Sequence, residues 1–163
     1  MTESMTAIVE GPIGTEGIVI SAIAAGAIDL WTPVILAAAG SGEDLPRVNV
    51  TTTGADPLVH AVVVGPKLAS GKAADAAGDK VNILVFGRGK IKVNGNTVNI
   101  AIGDALVTDV NGLGVKLDVT GTVNAALLQK MLAAFAKALK ASTADGDIIP
   151  AFVYQSRGTA KTA

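Results

Sequence analysis

The chain has 163 residues, half of them hydrophobic but only 3% aromatic, so its core must be built mostly from alanine, valine, isoleucine and leucine. Thirteen basic and fourteen acidic residues give a net charge of -1, which argues against a nucleic-acid-binding surface and a polybasic membrane anchor. The absence of cysteine excludes disulfides and thiolate metal sites.

The first part of the chain has little apolar periodicity. Residues 1–16 are rich in glycine, threonine, glutamate and proline, which predicts an extended N-terminal arm. Residues 1–10 lack the basic start and apolar stretch of a secretory signal, so we do not expect export by that route. Residues 18–39 are apolar, but Asp29 and Pro33 interrupt them, which argues against a membrane span.

Short runs of branched apolar residues then predict a series of strands. The expected strands are residues 18–23, 33–36, 48–53, 58–64 and 81–86. The run at 58–64 is apolar at successive positions, so we expect a central strand buried on both faces. A bend carrying Trp31 separates the first two strands, and Lys67 and Lys72 lie in a predicted exposed loop.

Residues 89–102 carry the clearest local signal. GKIKV at 89–93 and NTVNIAI at 96–102 flank Asn94-Gly95, a pair that favours the positive φ angles of a type I′ turn. Lysine and asparagine alternate with isoleucine and valine on both flanks. The sequence therefore predicts a β-hairpin.

The last third of the chain combines strands with one helix. Strands are expected at residues 105–108, 115–119 and 148–154. Between them, leucine, methionine and phenylalanine recur at helical spacing over 124–141, which predicts an amphipathic helix with Thr122 or Asn124 as its N-cap. We predict one β-rich domain over 17–154, mainly β with one amphipathic helix (α+β). This body would be a small β-barrel or sandwich, preceded by the arm at 1–16 and followed by a polar tail at 155–163.

Catalytic chemistry finds little support in the sequence. The single histidine, His60, lies within a predicted strand, so a core or subunit-contact role is favoured over a catalytic one. Asp145 and Asp147 fall in a turn that does not continue as a calcium-binding loop. Residues 65–73 have the wrong glycine spacing for a phosphate loop. We therefore expect no enzyme activity, no metal or cofactor and no small-molecule substrate.

Several short segments together resemble one family. The quoted segments are VNILVFG at 81–87, VNIAIGDALVT at 98–108, AKALKASTADGDII at 136–149, DLWTPVIL at 29–36 and AVVVG at 61–65. Across roughly residues 25–155 the chain resembles the capsid decoration proteins of tailed bacteriophages, also called cement or head-stabilising proteins. The alanine-rich stretch before Trp31 departs from their pattern, which leaves the N-terminal topology open.

The resemblance implies a structural virion protein on the outer surface of the capsid. Its partners would be the major capsid protein and itself, as a homotrimer, and it would stabilise the shell by bridging capsid subunits. The expected capsid or subunit contacts are Thr2, Thr6, Ile8, Val9, Pro12, Ile13 and Trp31. For Trp31 a core position is the alternative, and its apolar neighbours favour that alternative. Another structural or adhesive β-protein, such as a fibre, tail or surface-layer component, is the alternative, and an enzyme or small-ligand binder is a third.

Overall fold

A computed structural model describes residues 15–156 of the chain. Within that range, the elements in chain order are the strands β1 (Glu16–Ala24), β2 (Pro33–Ala37), β3 (Arg47–Val50), β4 (Val59–Gly65), β5 (Lys80–Asn94), β6 (Ala105–Thr108) and β7 (Gly114–Lys116), the helix α1 (Ala125–Leu132), and the strands β8 (Ala136–Ala138) and β9 (Asp145–Val153). These elements confirm the predicted class, a mainly β body with one helix. The predicted arm at 1–16 and tail at 155–163 lie almost entirely outside the described residues.

The strand pairings form two closed rings that share β5. The first ring runs β1-β3-β2-β4-β5 and closes where β1 pairs with β5. The second runs β5-β7-β6-β8-β9 and closes where β5 pairs with β9. β5 can serve both rings because it is 15 residues long, so its first half pairs with β1 and β4 and its second half with β9 and β7.

Besides a small cluster of Val107, Ala133 and Ala134, two large clusters of buried residues form the core. One is built largely from β1, β2, β4 and the first part of β5, and the other from β4, β5, β6, β8 and β9. β4 contributes to both, since Ala61 and Val63 belong to the first cluster and Val62 and Val64 to the second. Alternate side chains of a strand point to opposite faces, so β4 lies between the two clusters. The predicted central strand, buried on both faces, is confirmed.

β1 and β9 meet β5 at a close crossing of two glycines. Gly87 of β5 pairs with Gly17 of β1 and also with Val153 of β9. Both glycines have positive φ, 152° at Gly17 and 126° at Gly87. A Cβ atom on Gly87 would lie 2.6 Å from Gly17 Cα. Glycine is therefore required at this crossing both by backbone conformation and by space.

A buried carboxylate links the loop after β3 to β6. Asp56 is 6% exposed, and its side chain accepts hydrogen bonds from the Thr51 hydroxyl (2.5 Å) and the Leu58 amide (2.9 Å). Its own amide donates to Thr108 Oγ1 at 3.0 Å. Because these hydrogen bonds satisfy the groups around Asp56, its carboxylate can be buried without an ion pair to any of residues 15–156.

The predicted hairpin over 89–102 is wrong. β5 continues to Asn94 and pairs with β9 rather than with the residues that follow it. Gly95 has no positive φ, and residues 96–99 are exposed. Glycine is needed at position 95 for lack of space and not for a turn, because a Cβ there would lie 2.6 Å from the carbonyl oxygen of Ser142. The longer ladder with β9 replaces the local pairing.

The predicted helix over 124–141 is wrong in its second half. Asn124 is the N-cap, as one of the two alternatives stated, and its side chain accepts from the Leu127 amide at 2.9 Å. The helix ends at Leu132, and residues 136–138 form β8 between β6 and β9. Ala136 and Ala138 are buried while Lys137 is exposed, an alternation that suits a strand.

Candidate docking surface

The outward face of β5 and β9 carries both basic and apolar side chains. In the second half of β5 the buried residues alternate with outward basic ones, and in β9 they alternate with outward apolar ones. We define the β5–β9 face as Arg88, Lys90, Lys92, Ile148, Pro150 and Phe152. The inward-facing residues Ile91, Val93, Ile149, Ala151 and Val153 of the same strands are at most 1% exposed. The core thus fixes the backbone under this face.

Strand register places each basic residue beside an apolar one. The pairs are Arg88 with Phe152, Lys90 with Pro150 and Lys92 with Ile148. Directly opposed side chains on an antiparallel pair lie close enough to interact. Lysine and arginine can lay their aliphatic stems along apolar neighbours and keep the charge in water. The face can therefore offer cationic groups and apolar area to the same partner.

An aromatic pair extends the face toward β1. Phe86 is 48% exposed and meets Phe152 edge to face, with ring centroids 5.2 Å apart. Ile18 of β1 is the register partner of Phe86 and is itself 53% exposed. Exposed apolar side chains that adjoin one another are characteristic of protein-binding surfaces, whereas isolated ones are common on any protein.

Trp31 lies near the other end of the face. Its backbone is left-handed, with φ of 65°, an unfavourable conformation for a bulky residue. Two main-chain hydrogen bonds of 2.8 Å hold it there, from the Trp31 amide to Val63 and from the Lys92 amide to Trp31. Its side chain packs partly against the core, and Lys90 Nζ lies 5.6 Å from the ring centroid, within cation–π range.

Trp31 lines a surface cleft of about 680 Å³, which we call the Trp31 cleft. Its lining residues are Asp29, Leu30, Trp31, Val64, Gly65, Pro66, Lys67, Ser70, Gly71, Lys72, Asn82, Lys92 and Ile148. Because Lys92 and Ile148 belong to both, the cleft is continuous with the β5–β9 face.

The Trp31 cleft carries positive charge although the whole chain is slightly acidic. Three lysines and one aspartate line it, which leaves two positive charges there against a chain total of -1. Lys92 pairs with Asp29 at 3.1 Å. Lys67 and Lys72 form no ion pair with any residue of the range 15–156. These two ammonium groups are available to an anionic partner.

His60 lies on β4 outside the cleft. The residue is half-buried, its Nδ1 is 3.3 Å from the Gln155 side-chain amide, and burial lowers the pKa of its imidazole. A general base is usually oriented by a carboxylate, whereas the partner here is an amide. Across residues 15–156 there is also no cluster of three or more histidine and carboxylate side chains that could hold a metal.

Comparison with solved structures finds a similarity to the crystal structure of the N base of head fiber gp8.5 of bacteriophage phi29. The TM-score is 0.48 and the sequence identity 15%, over 89% of this chain and 98% of that chain. No protein-family model and no curated protein matches the chain. In the described part of the chain, none of the helical segments has the length and apolar character needed to traverse a lipid bilayer.

Among the residues predicted as contacts, the structure describes Trp31 and places it at the cleft; its role as an anchor stays a prediction. The others, Thr2, Thr6, Ile8, Val9, Pro12 and Ile13, lie outside the described residues. Sequence reasoning missed the β5–β9 face. Its signal is the alternation of basic residues at 88, 90 and 92, but the predicted hairpin assigns 90 and 92 to one of its flanks and leaves Arg88 in a turn beside it.

Proposed function

We propose that this chain is a non-enzymatic structural protein of a phage virion that binds the outer surface of the capsid and stabilises the shell by bridging major capsid protein subunits. The observation that carries the proposal is the β5–β9 face, a rigid strand surface with basic and apolar groups in register. The resemblance to decoration proteins supplies the kind of partner. A protein that binds only the assembled shell stabilises that state by linkage, without any chemical step.

The β5–β9 face can contribute both charge and apolar area to an interface. Basic groups accelerate and orient encounter with an acidic surface, while buried apolar area at the centre of an interface supplies most of the affinity. Phe86 and Phe152 adjoin Arg88, so the two contributions occur on one surface. Aromatic residues and arginine are the side chains most enriched at such interfaces.

The test is co-sedimentation of the purified protein with expanded capsids of the phage that encodes it. We expect binding by the unaltered protein. Reversal of two charges on the face, Arg88→Glu with Lys90→Glu, should weaken binding by about tenfold or more. The matched control, Lys130→Glu with Lys140→Glu, changes the net charge equally at exposed positions outside the face and should bind normally.

Two results would contradict this proposal. Failure of the unaltered protein to bind any shell would discard capsid docking and leave the fibre or tail alternative. Equal loss of binding in the control pair would show that net charge, and not the β5–β9 face, governs attachment.

We also propose that the protein associates with itself as a homotrimer. Two exposed apolar side chains of β1 offer a surface for that contact: Ile18, which is the register partner of Phe86, and Ile20. Sedimentation equilibrium of the unaltered protein and of Ile20→Asp tests this proposal. We expect a trimer and a monomer respectively, and a monomeric unaltered protein would refute it.

A further inference from the structure

The Trp31 cleft is large enough to hold a ligand and not only a single side chain of a partner. Its volume of about 680 Å³ lies in the range of binding pockets, roughly 300–1,000 Å³. Main-chain hydrogen bonds fix the backbone segments that shape it. Trp31 is fixed by two main-chain hydrogen bonds, and the 68–72 turn by two more, from the Leu68 amide to Lys72 (2.8 Å) and from the Gly71 amide to Leu68 (2.9 Å).

The walls of the cleft divide into apolar and cationic parts. Leu30, Trp31 and Ile148 contribute apolar area, and Ile148 is 49% exposed. Lys67 and Lys72 contribute ammonium groups that no carboxylate of the described residues neutralises. A ligand that fits both parts must combine negative charge with apolar side groups.

The polar inventory of the cleft argues against other ligand classes. Ser70 and Asn82 are the neutral polar side chains among its lining residues, which is few for a ligand covered in hydroxyl groups. An isolated phosphate would use the lysines but leave the exposed apolar area of Ile148 in water. A peptide with both carboxylate and aliphatic side chains uses both parts, and the continuity of the cleft with the β5–β9 face lets one partner span both.

We propose that the Trp31 cleft binds a short peptide segment in which carboxylate side chains alternate with aliphatic ones. The carboxylates pair with Lys67 and Lys72, and the aliphatic groups pack on Trp31 and Ile148. The inference rests on the proposed function for the origin of the segment, which would be a loop or terminus of the major capsid protein.

Trp31 makes the inference directly measurable because it is the single tryptophan of the chain. The probe is an end-blocked hexapeptide of alternating glutamate and leucine, titrated while Trp31 fluorescence is recorded. The matched control peptide has glutamine in place of glutamate. We expect a saturable change with the glutamate peptide, and binding about tenfold weaker with the glutamine peptide because two charge pairs are lost.

The protein variants provide a second control. Lys67→Glu with Lys72→Glu should weaken binding of the glutamate peptide about tenfold, since both side chains are exposed and their replacement leaves the fold intact. Lys130→Glu with Lys140→Glu should bind the peptide normally. Equal binding of the two peptides, equal loss in both variants, or no fluorescence change would overturn the inference.

Capsid co-sedimentation separates this inference from the proposed function. If the unaltered protein binds capsids but not the glutamate peptide, the cleft inference is wrong and the docking function stands. If it binds the peptide through Lys67 and Lys72 but no capsid, the cleft inference stands and the docking function is wrong.

Discussion

Adding one methyl group at Gly87 should destabilise the fold strongly. Its φ of 126° is unfavourable for alanine, at a cost of about 1–3 kcal/mol. The new Cβ would also lie 2.6 Å from Gly17 Cα, and moving backbone apart in a packed sheet costs about another 1–3 kcal/mol. We expect Gly87→Ala to lower the free energy of unfolding by about 4 kcal/mol, which corresponds to a fall in Tm of about 8–16 °C.

Two other glycines provide graded controls, measured by thermal unfolding with Trp31 fluorescence. Gly42 has a φ of 77° but open space around its Cβ position, so Gly42→Ala should cost only the backbone strain, about 1–2 kcal/mol. Gly26 has no positive φ, and apart from its chain neighbours no atom of residues 15–156 lies within 4 Å of the position that a Cβ would take, so Gly26→Ala should be neutral or slightly stabilising. A Gly87→Ala protein no less stable than Gly42→Ala would refute the reasoning.

Two further predictions concern polar groups. Asp56→Ala should lower the free energy of unfolding by about 2–3 kcal/mol, because the buried Thr51 hydroxyl loses its acceptor, whereas exposed Asp75→Ala should have little effect in the same urea titration. Burial lowers the pKa of His60, so the imidazole binds a proton more readily in the unfolded chain than in the folded one. The free energy of unfolding should therefore fall as the pH drops through and below 6.5. In Tm measurements across pH, His60→Gln should flatten that dependence. An unchanged slope in His60→Gln, or equal effects of the two aspartate substitutions, would contradict them.

The parts of the fold that sequence predicted are those whose signal is local. β4 was predicted because four consecutive apolar residues can be buried on both faces only in an interior strand. Asn124 could be predicted as one of two possible N-caps because the capping hydrogen bond involves only a residue three positions along the chain.

The hairpin and helix predictions failed where pairing with a strand distant in sequence determines the structure. Asn94-Gly95 favours a turn into a neighbouring strand, but β5 pairs with β9, about fifty residues later, and the turn preference is overridden. Phe135 has helical spacing with Leu128 and Met131, yet it is fully buried beside β6 and β9 as the chain enters β8. Periodicity alone could not choose between these outcomes.

Of the residues that form the candidate surface, the sequence predicts only Trp31 as a contact. A lone tryptophan on a bend is either core filler, which the apolar neighbours of Trp31 favour, or an interface anchor, and the sequence predicts Trp31 as a contact on the second ground. Its companions Lys67, Lys90 and Ile148 come from three separate segments, and strand pairing over long sequence distances brings them together.

The shared strand β5 has a mechanical consequence. A pull on Arg88 enters the backbone where β5 pairs with β1 on one side, at Glu16, and with β9 on the other, at Phe152. Tension would therefore spread into the whole body and shear many bonds together, instead of peeling them one after another. For a protein without cysteine, such load sharing would help the body resist stretching without disulfides.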